Sequence, residues 1–235
     1  MEGLFLYLIL FPVAGAFVVW ASDRQAVCSG HGRWKDTRDY LAMGTGVLEF
    51  AVMLVFAAKG MGSVLRIPGI CGLGISFCLD GFRSVYGTVA AFMWMMTLLF
   101  SREYLARERR LGRYYFFQLV TLSATMGVFL SADLFTTFIF FEIMSFTSYV
   151  WVAQEETDGA LRAAETYLAV AVIGGMTLLM GLFLLYRALG TLELSELAAA
   201  AAACADKRLL YIAGGCTFVG FGAKAGAFPL HIWLP

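Results

Sequence analysis

Charge is scarce in this sequence. Of its 235 residues only 14% are Asp, Glu, Lys or Arg, against roughly 25% in a soluble domain. Hydrophobic residues make up 60% and aromatics 15%, more apolar surface than a large soluble helical core would hold. The net charge is zero, so there is no basic footprint for nucleic acid. Histidine is limited to His31 and His231, too few for the facing axial pairs of a multi-haem membrane core. The cysteines (Cys28, Cys71, Cys78, Cys204, Cys216) form no CxxC pair and no zinc-like spacing. Cys71 and Cys78 are a candidate disulfide only if their loop faces an oxidising compartment. No Walker A sequence, dinucleotide fingerprint or catalytic serine elbow is found. These absences point to a chain without its own cofactor or metal, doing no redox chemistry by itself.

What fills the chain instead is long apolar runs. A stretch of about 20 apolar residues crosses the hydrocarbon core as a helix, and seven such stretches occur, at 3–21, 40–58, 81–100, 114–131, 134–153, 163–188 and 208–228. No strand-like alternation persists, so a barrel is not expected. The fold class is therefore all-α, a polytopic transmembrane bundle. No basic stretch precedes the first run, which reads as a retained helix and not as a signal peptide. Residues 1–113 divide as three N-terminal helices with a Gly-rich loop, and 114–235 as a four-helix core. The loop at 59–80, with Gly60, Gly62, Gly69, Gly72, Gly74 and Pro68, predicts turns or a short hairpin. The segment 191–206, with its alanine run 198–203, predicts a short helix.

Lysine and arginine set the orientation, because cytoplasmic loops carry their excess. Arg24, Arg33, Lys35, Arg38, Arg102, Arg107, Arg109, Arg110, Arg113 and Arg162 fall on one side; Lys59, Arg66, Arg187, Lys207 and Arg208 fall on the other. The first set is read as cytoplasmic, which puts the N-terminus outside a cell (inner or cytoplasmic) membrane.

Ionisable groups inside membrane spans are costly, and each is by default a functional-site candidate. Glu142 sits mid-span in Phe140-Phe141-Glu142-Ile143-Met144-Ser145, where a carboxylate must find a cation or water, or take up a proton. Lys224 is the sole lysine inside a span, in a glycine- and alanine-rich stretch. Pro229 follows five residues later; proline lacks an amide donor and clashes with the carbonyl four residues back, here Ala225. The last helix is therefore expected to break near Pro229, beside Lys224. His231 lies past the break and Glu49 in mid-span, while Glu165 lies near the start of its span; all three are accessory candidates. Asp80, Arg83 and Asp133, near helix ends, read as caps and ion pairs.

Two motifs carry a resemblance. Phe141-Glu142-Ile143-Met144-Ser145-Phe146-Thr147-Ser148-Tyr149 and Gly222-Ala223-Lys224-Ala225-Gly226-Ala227-Phe228-Pro229-Leu230-His231-Ile232-Trp233-Leu234-Pro235 resemble the antiporter-like proton-channel subunits of respiratory complex I, membrane-bound hydrogenases and Mrp-type sodium/proton antiporters. Asp80-Gly81 and Ser101-Arg102-Glu103-Tyr104 look similar too, and the likeness runs from about residue 75 onward. It implies an N-terminal half of such a subunit, with Glu142 and Lys224 as an ion pair whose opening and closing moves protons. It also implies other membrane subunits as partners and protons or sodium as cargo. The sequence departs from the resemblance at Glu165-Thr166-Tyr167, where many relatives carry a lysine before the tyrosine. It ends at Pro235, inside the second motif and short of the family's later charged helices, so a truncated chain is expected. Three functions follow: a non-redox proton- or sodium-translocating subunit of an NADH-quinone oxidoreductase or hydrogenase-type complex, a subunit of a stand-alone antiporter, or an inactive packing fragment.

Overall fold

The computed structural model describes residues 6–29, 33–59, 63–106, 108 and 110–233. His31, Gly60, Gly62, Arg107 and Arg109, together with the side chains of Arg33 and Cys71, lie outside the described residues. The described chain is almost entirely helical, in two compact units, Met1–Leu65 with Cys78–Leu130 and Arg66–Phe77 with Ser131–Pro235.

The first unit contains α1 (Tyr7–Ser29), α2 (Arg33–Lys59), α3 (Gly81–Tyr104) and α4 (Leu111–Leu130). Asp80 caps α3 by accepting from the Arg83 amide at 2.8 Å, and its carboxylate also pairs with the Arg83 guanidinium, as its place at a helix start suggested. Helix α1 packs on both α2 and α4, and α2 on α3. At one end of this unit Arg38 reaches Asp23 at 2.8 Å and Asp39 at 2.7 Å.

Among the described residues six helical stretches are long and apolar enough to cross a membrane, and α4 is the expected span that falls short. Its buried side carries Gln118, Thr121, Ser123 and Thr125, which lower its hydropathy, yet at 20 residues it has the length of the others. Thr121 and Thr125 donate back to carbonyls four residues earlier and Ser123 donates to the Ile9 carbonyl at 2.6 Å, while the Gln118 Oε1 is buried without a hydrogen-bond partner among the described residues. Because α4 packs with α1, α2 and α3, the unit closes at Leu130.

The 59–80 loop forms a hairpin of β1 (Ser63–Ile67) and β2 (Ile75–Leu79) around a 3-10 turn at Ile70–Gly72. Gly74 has φ +79, and a Cβ there would lie 2.9 Å from the Ile67 carbonyl oxygen, so only glycine fits.

The second unit adds α5 (Leu134–Val152), α6 (Asp158–Leu189), α7 (Leu197–Ala203) and α8 (Lys207–Ala225), with a 3-10 turn at Leu230–Trp233. Short α7 occupies the alanine run. Asp133 joins three segments here. Its carboxylate caps α5 through the Thr136 amide at 2.7 Å and accepts from the Thr136 hydroxyl at 2.6 Å and from both the amide and hydroxyl of Ser76. Backbone bonds extend the clip, from Ala132 to Ser76 at 2.9 Å and from Leu134 to Leu192 at 3.0 Å. Arg66 reaches Glu193 at 3.1 Å beside it; burial pushes the Glu193 carboxyl up from its ordinary range while Arg66 opposes the shift.

Helices α6 and α8 run antiparallel in very close contact. Ideal Cβ atoms built on Gly174 and Gly220 would lie 2.5 Å from the Cβ atoms of Ala223 and Leu178 respectively, so the missing side chains set the approach. Helix α8 stops at Ala225, short of 228, because Gly226 takes a left-handed φ of +68 and closes the helix end on the Gly222 carbonyl. Pro229 therefore lies beyond the helix, and the Trp233 indole returns to donate to the Ala223 carbonyl at 2.8 Å.

Gly220→Val should force α6 and α8 apart and destabilise the protein by about 1–3 kcal/mol. Gly214→Ala, which meets nothing within 4 Å, should leave the melting temperature unchanged or raise it slightly. Thermal melts in detergent check both.

Candidate functional site

Three helices of the second unit converge on one tyrosine. On α6 the residues Ala164, Tyr167, Ala171, Gly174, Gly175 and Leu178 are buried, a stripe at helical period facing inward. At the Gly174 level the stripe meets α8, and because α8 ends at Ala225 the next turns of α6 extend past its end. Tyr167 stands there, its ring edge-on to Trp233 at 5.2 Å between centroids.

Lys224, in the last turn of α8, fills this corner. Its ammonium donates to the Tyr167 hydroxyl and lies 4.4 Å from the ring centroid. A cation in the final turn of a helix is also favoured by the helix dipole. The Tyr167 oxygen continues to α5: it is 2.5 Å from the Ser148 hydroxyl and 3.4 Å from the Ser145 carbonyl, and Ser148 bonds the same carbonyl at 3.1 Å. Lysine, tyrosine and serine thus form an unbroken hydrogen-bonded row across α8, α6 and α5.

Glu142 enters the same unit from α5, two turns before Ser148. It sits against Gly175, where a Cβ would collide with the carboxylate, so the glycine makes room for the acid. Its Oε1 is buried without a hydrogen-bond partner. Along α6, Gly175 lies eight residues from Tyr167, a rise of about 12 Å. Glu142 and Lys224 therefore feel one another's charge without forming an ion pair, none of their charged atoms being within 4.0 Å.

The accessory candidates are not part of this cluster. Glu165 is exposed on α6. His231 is exposed on the last 3-10 turn, stacked on Phe228 with ring centroids 5.5 Å apart. Glu49 belongs to the first unit, fully buried on α2. Tyr167, Ser148 and Gly175, which complete the site, had no place among the sequence candidates. A signal existed: Glu142, Ser145 and Ser148 repeat every three residues along one side of a helix.

Residues 131–235 match the family model described as NADH:quinone oxidoreductase/Mrp antiporter, transmembrane. The chain is 37% identical over 164 residues to an antiporter protein called mnhD2 from Staphylococcus haemolyticus, covering 69% of this chain and 32% of that protein. It is 30% identical over 162 residues to a component of the Na(+)/H(+) antiporter of Alkalihalophilus pseudofirmus, covering 69% of this chain and 33% of that one. The chain thus spans about a third of the length of these relatives. In fold it is similar to a chain of the membrane-bound sulfane sulfur reductase, an archaeal respiratory membrane complex. That match has a TM-score of 0.81 and 23% identity, over 97% of this chain and 46% of that one.

Tyr167→Phe keeps the ring and deletes the hydroxyl, and should cost about 1.5–3 kcal/mol, the worth of a hydrogen bond to a charged group. In a Lys224→Met background the same change should cost clearly less, since contacting residues are not additive. Melts of the four proteins in the cycle measure the coupling.

Proposed function

We propose, from the premise that this chain is a multi-pass membrane protein belonging to the antiporter-like subunits of the NADH:quinone oxidoreductase/Mrp antiporter family, that its second unit moves protons by way of Lys224 and Glu142. The observation that carries the reading is Lys224 itself: a half-buried ammonium bonded to a tyrosine hydroxyl, within electrostatic reach of a carboxylate it does not touch.

How firmly such an amine holds its proton depends on how near the carboxylate is. With Glu142 at its present distance, the ammonium is held by Tyr167 alone. A shift of α5 or of the Lys224 side chain that brings the two together would favour the charged pair, and separation would favour release. The Tyr167–Ser148 row offers a route for the released proton, since each hydroxyl can accept on one side and donate on the other. Neighbouring membrane subunits would supply the bias between the two arrangements, and the charge asymmetry of the loops would orient the N-terminus outside the cell membrane.

A second reading, a subunit of a stand-alone sodium/proton antiporter, is favoured by the antiporter names of the two relatives from Staphylococcus haemolyticus and Alkalihalophilus pseudofirmus. The same pair serves it, with sodium moving in exchange for the proton.

Lys224→Ala in the assembled complex, in sealed vesicles with a pH-sensitive dye, should lower proton translocation by about 100-fold or more. Lys224→Arg should fail equally, because a guanidinium keeps its charge and does not release a proton. Both variants should assemble. Translocation that survived either change would overturn the reading, and dependence of the dye signal on sodium alone would select the antiporter form.

A further inference from the structure

The first unit holds a buried acid that the Lys224 site does not use. Glu49 is fully buried at the middle of α2, and neither carboxylate oxygen has a hydrogen-bond partner among the described residues. It belongs to a buried stripe of Ala42, Thr45, Gly46, Glu49, Met53 and Phe56. Contacts fix what stands at its level. Arg38 pairs with Asp23 and Thr45 meets Gly15, so α1 descends as α2 rises and Glu49 falls between Leu8 and Pro12. Gly46 meets Leu98 and Met53 meets Gly87, which places Ala91 and Trp94 of α3 across from the acid. On α4 the Ile9–Ser123 bond puts Thr121 and Ser123 at about this height.

None of these groups is a cation. Charged side chains on the packed helices lie towards their ends: Asp23 and Arg24 on α1, Arg83, Arg102 and Glu103 on α3, Arg113 on α4. Between Tyr40 and Lys59, α2 itself has no other ionisable residue. The titratable group within electrostatic reach on α1 is the Tyr7 phenol. An ionised carboxylate without donor or cation is the most expensive buried species available to a protein. Glu142 has Lys224 to answer it; among the described residues Glu49 has nothing of the kind. One acceptor at its level is left open, for Pro12 has no amide and the Leu8 carbonyl loses its helical donor.

We propose that Glu49 is a second, self-standing proton-binding site: a carboxylic acid in the first unit that takes up and releases a proton without a lysine partner. The binding claim stands independently of the Lys224 reading; only its use in translocation rests on that reading. Sodium is a poor alternative ligand, because a cation of that kind needs several converging oxygens and a single carboxylate faces this space.

Infrared difference spectra of the assembled complex, titrated from mildly acidic to alkaline pH, test it. The wild type should show a protonated-carboxyl stretch that Glu49→Gln deletes and Lys224→Ala keeps, and replacing potassium with sodium in the buffer should leave it unchanged. Glu49→Asp keeps the acid and should shift the band, which covers the case in which the amide variant fails to assemble. A wild type lacking the band, a band that survives Glu49→Gln and is unmoved by Glu49→Asp, or one that sodium abolishes would overturn the proposal. A Lys224→Ala variant that still pumped would sink the lysine mechanism and leave this result standing.

Discussion

A positive charge taken out of water has to be answered by what surrounds it, and the second unit is organised around answering one. Moving an ammonium into a low-dielectric interior costs several kcal/mol even after relaxation. Half-buried Lys224 meets it with the Tyr167 hydroxyl, helped by its place in the last turn of α8, where the helix dipole favours a cation. Neither is a full negative charge. The ammonium is stabilised but not locked, which is the condition under which a more distant carboxylate such as Glu142 can influence it.

The partners meet because helices approach more closely than side chains normally allow. Without Gly174 and Gly220, α8 would stand further from α6, and Lys224 would not reach the hydroxyl of Tyr167. Gly175 does the same for Glu142 on the α5 side. At the other end of the unit, the Asp133 clip ties the start of α5 to the hairpin and to the loop after α6. Helix ends are thereby held while the middle of the unit keeps a hydrogen-bonded row and an acid with an unpartnered oxygen.

Two glutamates in similar apolar helices have been given different surroundings. Glu142 has a glycine beside it, a lysine within electrostatic reach and hydroxyls further along its own helix. Glu49 has helices on several sides and no donor among the described residues. Residue type alone does not distinguish them. The difference lies in what neighbouring helices present at the same depth.

Helix class, membrane residence, the hairpin, the short α7 and the caps at Asp80 and Asp133 were legible in the sequence, because each depends on residues close together in the chain. Apolar run length, turn glycines and an acid at a helix start act over a few residues. Glu142, Lys224 and Glu49 also stand out in the sequence, as charges within apolar runs. Tertiary structure alone decided that α4 hides a polar side, that α8 ends at Gly226, that Tyr167 and Ser148 receive Lys224, and that Glu142 stands apart from the ammonium. Those outcomes depend on the register between helices far apart in sequence, and that register is set by where glycines let backbones touch, a property of pairs of helices and not of either one.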